Sequence, residues 1–215
     1  MKRIVAVAIV LGLAVLAAPV PNAAQTKLTV VSDTTWAVRA ISKTTGLPTV
    51  VGRAEAVCLN AVTPPNCPPD AVQYGAPDGW FADLSSIPGA IWIWAPSIQG
   101  STPRADLQTF WFSKVITLPA EPLTGSISIA ADNYTEITVN GQLVAAYGSV
   151  TQLGAAVHAL NSVHRFTVKY LLHKGNNQIV IRVQNGPSSF VDTGCNPCDY
   201  AENPAGVVFG LNITF

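Results

Sequence analysis

Charged residues are scarce in this sequence. They make up 11% of 215 residues, with 12 basic and 12 acidic side chains, against roughly 25% in an average globular protein. Neither a basic cluster nor an acidic tail is present, which excludes the electrostatic footprint of a nucleic-acid-binding protein. A surface so poor in charge relies on Ser, Thr, Asn and Gln, which suits an extracellular protein or one whose faces are covered by partners.

The sequence also lacks the common catalytic signatures. It contains no H-E-x-x-H motif, no G-x-S-x-G elbow and no phosphate-binding glycine loop. The histidines, His158, His164 and His173, have no cysteine partner for catalysis, and we expect them on the surface or as capping residues. The acidic residues are scattered and suggest no pair of carboxyls ~5 Å apart, as a retaining glycosidase requires. We therefore expect a binding protein and not an enzyme.

Only one long hydrophobic run is present, at the start of the chain. Lys2 and Arg3 precede the apolar run Ile4–Ala18, which is shorter than the ~20 residues that span a bilayer. The pattern predicts a signal peptide over residues 1–24. We expect the remainder, residues 25–215, to be one exported domain, secreted or at the cell surface (extracellular or periplasmic), with no membrane span after the signal is removed.

Four cysteines fit an oxidising compartment. Cys58 and Cys67 bracket a Pro-rich loop, and Cys195 and Cys198 form a C-x-x-C. Three pairings exist, and we favour the two local bridges, the first of which would contribute ~2.5–3 kcal/mol. A redox motif and a zinc site are the alternatives, but Pro197 indicates a loop where a redox motif would open a helix.

Alternating apolar residues predict β-strands in the C-terminal half. Phe110, Phe112, Ile116 and Leu118 share one face of "TFWFSKVITLP", and similar alternation occurs in "SISIAAD", "TEITVN", "NNQIVIRVQN" and "GVVFGLNITF". Asn140-Gly141 is a strong signal for a hairpin turn. "TQLGAAVHAL" is compatible with a short helix. Many short strands separated by turns predict an all-β protein, a jelly-roll β-sandwich.

Several segments also resemble a known family in their order along the chain. They are "AIWIWAPS", "FWFSKVITLPAEP", "SISIAADNYTEITVNGQLV", "VKYLLHKGNNQIVIRVQNG" and "PAGVVFGLNITF". Together they resemble the galactose-binding-domain-like β-sandwich modules that accompany α-L-rhamnosidase-type and family 2 glycoside hydrolases. The resemblance covers residues 90–215 and implies the fold more strongly than a function. Residues 25–89 match nothing in that group, and we expect the module to act without an attached catalytic domain.

Aromatic side chains are the leading candidates for binding a ligand, because sugars stack their C–H faces on aromatic rings. Tyr74, Asp78 and Trp80 lie in the long Pro-rich loop from Asn60 to Asp83, and loops of that length are usually functional or cross-linked. Trp111 has the opposite parity to Phe110 and Phe112, so it is either an exposed platform or covered by the N-terminal segment. Trp92 and Trp94 share one parity, which favours core packing.

Modules of the resembled group often carry a structural calcium ion. We expect no cofactor, and the resemblance leaves a structural calcium ion as the alternative, because oxygen ligands from Asp and Asn suit that ion. Two sets of loop acids could supply them, and the same acids are also typical of solvated loops: Asp192, Asp199 and Glu202, or Asp78 and Asp83.

Two hypotheses of function follow. The first is a secreted, non-catalytic carbohydrate-binding module that acts on an extracellular or cell-surface glycan. The second is a structural or adhesive surface protein that self-assembles through its sandwich. The resemblance favours the first, and the low charge favours the second.

Overall fold

The structure is a computed structural model that describes residues 26–59, 67–75, 80, 83–191 and 194–215. The predicted signal peptide lies outside the described residues. Within them the chain forms these strands: β1 Lys27–Val31, β2 Ala37–Ile41, β3 Pro48–Arg53, β4 Glu55–Leu59, β5 Val72–Tyr74, β6 Ile93–Trp94, β7 Thr109–Leu118, β8 Thr124–Asp132, β9 Tyr134–Val139, β10 Gln142–Gly148, β11 His164–Thr167, β12 Gly175–Gln184 and β13 Gly206–Thr214. One α-helix, α1, covers Leu153–Asn161.

The strands form the two sheets of an all-β sandwich, as the alternation predicts. The six-stranded sheet has the order β10-β9-β12-β7-β2-β3. The seven-stranded sheet has the order β11-β8-β13-β6-β4-β5, and β1 also pairs with β13. Pairing is antiparallel in both sheets except between β4 and β5, which are parallel. The segment that resembled nothing, residues 25–89, thus contributes strands to both sheets.

The predicted inward faces form the core. The four residues expected to share a face of β7 are all buried, as are Ile127, Ile129, Ile137 and Val139 from the neighbouring strands. Trp94 packs edge-on against Phe110, with their ring centroids 5.3 Å apart. Burial of this apolar surface is the main favourable term in the stability of the fold.

Asn140 and Gly141 join β9 to β10, as predicted. Both residues have positive φ, 51° and 77°, which a type I′ hairpin turn requires and which Asn and Gly tolerate best. The turn is also anchored, because Asn140 Nδ2 donates to the carbonyl of Leu171 at 2.7 Å. The hairpin therefore places β10 beside β9, with Gln142 opposite Val139.

The outward face of β13, to which Val208, Gly210, Asn212 and Thr214 belong by strand parity, is not wholly in water. Val208 is fully buried, and a Cβ on Gly210 would lie 3.0 Å from the side chain of Ile87. The segment around Ile87 therefore covers this part of the sheet. The rest of the outward face of β13, at Asn212 and Thr214, stays accessible.

Candidate functional site

Four side chains lie in one row across the outer face of the six-stranded sheet. Arg39 of β2 is opposite Trp111 of β7, Trp111 is opposite Arg182 of β12, and Arg182 is opposite Glu136 of β9. We call these four residues the Trp111 row. Adjacent strands are ~4.8 Å apart, so the row extends ~14 Å across the sheet.

Strand parity places the Trp111 row outside the core. Phe110 and Phe112 point inward and are buried, so Trp111 between them points outward and is half-buried. Ile181 and Val183 flank Arg182 in the same way. The described part of the N-terminal segment supplies β2 beside Trp111 in the same sheet, and part of the Trp111 surface stays accessible.

Arg182 lies between two aromatic rings. Its Cζ is 5.9 Å from the ring centroid of Trp111 and 5.7 Å from that of Tyr134, within the range of cation–π attraction. Its Nη1 donates to Oε1 of Glu136 at 2.9 Å, and Nη2 donates to Oε1 of Gln184 at 3.3 Å. These contacts hold the guanidinium in one orientation on the sheet.

Glu136 neutralises this end of the row. Besides Arg182, its Oε1 accepts a hydrogen bond from the Tyr134 hydroxyl at 2.8 Å. Partial burial, followed by the hydrogen bond to Glu136, raises the pKa of Tyr134, so the phenol stays protonated as a donor. The charges of Arg182 and Glu136 therefore cancel locally.

The other end of the row opens into a small cleft. The cleft has a volume of about 200 Å³, and its walls are Arg39, Pro48, Trp111, Ser113, Gln178 and Val180. The Nε of Arg39 is buried and has no hydrogen-bond partner among the described residues. Arg39 lines the cleft, so the terminal N–H groups of its guanidinium are the ones suited to donate to a ligand there.

The other predicted ligand residues lie elsewhere. Tyr74, at the end of β5, is fully buried against Tyr200, and their ring centroids are 5.3 Å apart. Burial, with a smaller effect of Tyr200, raises the pKa of Tyr74 above its ordinary range. Its hydroxyl approaches the carbonyl of Ile98 at 3.5 Å. Asp78 lies outside the described residues, so its role stays a prediction.

Trp80 is packed into the core. Its ring stacks on Trp92 with centroids 4.5 Å apart, and only 6% of the residue is exposed. Its Nε1 donates to Oδ2 of the buried Asp132 at 2.8 Å. Tyr74 of β5 and Asp132 of β8, the hydrogen-bond partner of Trp80, both belong to the seven-stranded sheet, whereas Trp111 is on the six-stranded sheet. The structure therefore does not bring Tyr74 or Trp80 together with Trp111.

Comparison with known proteins finds one curated relative and several solved structures, and no family model matches the chain. An α-L-rhamnosidase from Streptomyces avermitilis is 30% identical over 116 residues, which is 52% of this chain and 11% of that enzyme. The chain therefore spans about a tenth of the length of this relative. The chain resembles an accessory sandwich module of such glycoside hydrolases.

Solved structures of the same kinds of enzyme are similar to this module. The crystal structure of the Streptomyces avermitilis α-L-rhamnosidase with L-rhamnose matches with a TM-score of 0.41 and 25% identity, over 57% of this chain and 10% of the enzyme. A β-glucuronidase from Ruminococcus gnavus matches with a TM-score of 0.45 and 14% identity, over 92% of this chain and 30% of the enzyme.

The module contains the two local disulfides that we favoured. Cys58 is bonded to Cys67, and Cys195 to Cys198. Cys195, Cys198 and Glu202 also lie close enough together to suggest a metal site. However, a disulfide sulfur is not a thiolate, and the thiolate is the form that binds zinc. The bond therefore removes two of the three ligands.

The acids proposed for calcium are engaged in local turns where the structure describes them. Oδ1 of Asp199 accepts from the backbone N–H groups of Ala201 and Glu202 at 3.0 and 3.1 Å. Oδ1 of Asp83 accepts from the backbone of Ser85 at 2.9 Å, and hydrogen bonds to Ser85 lower the pKa of Asp83. Asp192 lies outside the described residues. A structural calcium stays a prediction.

A polar cluster of Tyr147, Ser162 and His164, which no sequence pattern indicated, joins the two sheets. Nε2 of His164 is 2.6 Å from the hydroxyl of Tyr147 and 2.6 Å from Oγ of Ser162. Oγ of Ser162 also caps the end of α1 by donating to the carbonyl of His158 at 2.6 Å. Burial, and then the neighbouring His158, lower the pKa of His164. The cluster joins β10 of one sheet to β11 of the other, which no spacing in the sequence could indicate.

Proposed function

We propose that this chain is a non-catalytic carbohydrate-binding module that acts outside the cell. The observation that carries the proposal is the cleft beside Trp111, where an outward aromatic ring and an arginine side chain line the same concave surface. The 30% identity to a sugar-cleaving enzyme supports the same class of ligand. Two disulfides support export to an oxidising compartment. In the described residues, no helix is long and apolar enough to cross a bilayer.

The walls of the cleft suit a sugar ring. Trp111 supplies an apolar surface for C–H groups, while Arg39, Gln178 and Ser113 supply donors and acceptors for hydroxyl groups. A volume of about 200 Å³ is smaller than the ~300–1,000 Å³ of typical ligand pockets. We infer that the cleft accepts a single unit, such as the end of a glycan chain.

At the Glu136 end of the Trp111 row, charge pairing favours a neutral sugar, whereas Arg39 at the cleft end lies outside the ion pairs found in the described residues. Arg182 is already paired with Glu136, so an anionic ligand would gain little from it. Glu136 is also the only carboxylate of the row, and glycoside hydrolysis ordinarily requires two. Both points support binding without catalysis at this face.

The test is calorimetric titration with neutral oligosaccharides, beginning with ones that end in L-rhamnose, because the relative is an α-L-rhamnosidase. Trp111→Ala should weaken binding by about tenfold or more, since truncating a central aromatic in a binding site costs on the order of 2 kcal/mol. Val115→Ala is the matched control: Val115 lies on the same face of β7 and is 60% exposed, but it does not line the cleft.

Equal affinities for the two variants and the parent would contradict this site. Absence of binding to every glycan on a broad neutral array would contradict the proposed function. Circular dichroism of both variants separates a loss of binding from a loss of folding.

A second candidate function, self-assembly, is favoured by the edge strand β3. This strand is at the end of the six-stranded sheet, and Leu47, Val50 and Val51 on or beside it are exposed. Exposed apolar edge strands can pair with another chain. If the protein self-assembles through this edge, light scattering should show oligomers that Val50→Lys disperses, while a monomer at all concentrations would exclude this candidate.

A further inference from the structure

A second concave surface lies on the opposite side of the sandwich, on the outer face of the seven-stranded sheet. It is a groove of about 720 Å³. Its floor is a row of polar side chains in register across three strands, Asn212 of β13, Ser126 of β8 and Thr167 of β11. Thr124 and Thr214 extend it along the strands.

Three cations line this groove: Lys27, Arg165 and Lys169. No carboxylate is among the described lining residues, and neither ion pair found in the described part of the chain involves these three side chains. The whole sequence has a formal net charge of zero. The groove, which we call the basic groove, therefore concentrates positive charge on a protein that is neutral overall.

Arg165 is held against the floor of the basic groove. Its Nε and Nη2 both donate to Oγ of Ser126, at 3.0 and 2.7 Å. This fixes the plane of the guanidinium and leaves its other N–H groups for an anion. A preorganised guanidinium loses less entropy on binding, and its planar fork matches a carboxylate or sulfate.

Tyr170 provides an aromatic platform on a short 3₁₀ turn, Lys169–Leu171, at the rim. It is 86% exposed, and Nζ of Lys169 lies 5.7 Å from its ring centroid. The turn is anchored to β8, because the N–H of Val168 donates to the carbonyl of Gly125 at 2.9 Å. A Cβ at Gly125 would come within 3.2 Å of the Lys169 backbone, so glycine permits this close approach.

From these observations we propose that the basic groove binds an acidic polysaccharide, whose carboxylate or sulfate groups pair with Lys27, Arg165 and Lys169. Hydroxyl groups of the sugar meet the Ser, Thr and Asn floor, and one sugar ring stacks on Tyr170. Anionic membranes are bound by clusters of ~4–8 basic residues, and nucleic acids by a more extended basic surface. Three cations over a hydroxyl-rich floor fit a polysaccharide better.

The experiment is titration calorimetry with a galacturonate tetrasaccharide, a sulfated tetrasaccharide and a neutral galactose tetrasaccharide. The acidic ligands should bind more tightly than the neutral one, and their affinity should fall as NaCl is raised. Arg165→Gln combined with Lys169→Gln should weaken acidic binding by about tenfold or more. Lys43→Gln is the control, because Lys43 is exposed in the turn between β2 and β3 of the opposite sheet and does not line the basic groove.

Binding of both acidic ligands supports the proposal, and binding of only one identifies the anionic group. The proposal is overturned if neither binds, if the neutral ligand binds as tightly, or if the Lys43 control loses as much affinity. Equal binding of a single-stranded oligonucleotide would also overturn it. Because Trp111 is on the other face, Trp111→Ala should not change acidic binding, so this proposal and the proposed function can fail separately.

Discussion

Both outer faces of the sandwich carry a row of side chains paired across antiparallel strands. The two faces differ in how the charged side chains are arranged. On the six-stranded sheet, Arg182 is directly opposite Glu136 and pairs with it. On the seven-stranded sheet, Arg165 is opposite Ser128, and Lys27 is opposite Thr214. Strand register therefore decides whether a cation is neutralised by its neighbour or remains available to an anion.

The aromatic residues on the two faces differ in the same sense. Trp111 lies within the sheet, half-buried, with a small cleft at its side. Tyr170 lies at the rim of a larger groove and is almost fully exposed. The small cleft beside Trp111 suits a single neutral sugar unit. The larger groove beside Tyr170 suits a polysaccharide chain that lies along a charged surface.

The largest expected effect comes from the core that both faces share. Trp80→Ala should lower the free energy of unfolding by about 3–5 kcal/mol, because the stacked pair with Trp92 and the hydrogen bond to Asp132 are both lost. Urea unfolding followed by fluorescence measures this. Trp80→Phe keeps a ring but removes the donor to a buried carboxylate, and should cost about 1–3 kcal/mol.

For Trp80→Ala, binding of the neutral glycan and of the acidic tetrasaccharides should fall in parallel, because unfolding removes both binding surfaces. A variant that remains as stable as the parent, yet fails to bind one glycan, would instead assign Trp80 to a ligand site. Trp111→Ala is the corresponding loss of an aromatic ring on the outer face of the six-stranded sheet, to be compared with Trp80→Ala in the core.

An intermediate effect is expected from a substitution that gives the outer face of the six-stranded sheet an unpaired cation, like those of the basic groove. Glu136→Gln leaves Arg182 without its counter-charge, so the Trp111 row should gain affinity for the acidic tetrasaccharides. The measurement is calorimetry in the Arg165→Gln/Lys169→Gln background, where the basic groove no longer contributes. Stability should fall by no more than about 1 kcal/mol, because the pair is partly exposed.

Glu121→Gln is the matched control for charge, since Glu121 is exposed and its Oε1 accepts from the backbone N–H of Lys174 at 3.0 Å. If Glu121→Gln produces the same gain, net charge explains the effect and the register argument fails.

The smallest expected effect concerns the polar cluster of Tyr147, Ser162 and His164, which joins the two sheets. The pKa of His164 is lowered from 6.5, first by burial and then by His158, so the folded state favours the neutral ring. This contribution to stability is fully present above about pH 6.5 and decreases as the pH falls through the lower folded pKa. Urea midpoints between about pH 8 and pH 5 should therefore decline for the parent, and less for His164→Gln.

An equal decline in parent and variant would show that other groups dominate this pH range. His173→Gln is a suitable control, because the His173 ring is hydrogen-bonded to the carbonyl of Lys174 and is not part of the polar cluster around His164.

Much of the fold could be predicted from the sequence. Alternation identified β7, β8, β9, β12 and β13, and the Asn140-Gly141 pair identified the hairpin, because strand parity and turn chemistry are local properties. The helix α1 was indicated in the same way. The edge strand β3 was not predicted, because its residues are mostly exposed on both faces and show no alternation.

The candidate sites were harder to predict for a different reason. Trp80 and Tyr74 lie in a Pro-rich segment without periodicity, so nothing local indicated that their rings enter the core. Trp111 was predicted to point outward from parity alone, and the structure agrees. Its partners Arg39, Arg182 and Glu136 are 72, 71 and 25 positions away along the chain, and only strand pairing brings them together.

The sequence by itself therefore determined the strands β7, β8, β9, β12 and β13, their inward faces and the main hairpin, since these depend on neighbours a few residues apart. Only the tertiary structure decided which cations are paired, which aromatics are exposed and where the two concave surfaces lie. Those properties depend on which strands become neighbours and in what register, and that is settled by packing of the whole sandwich.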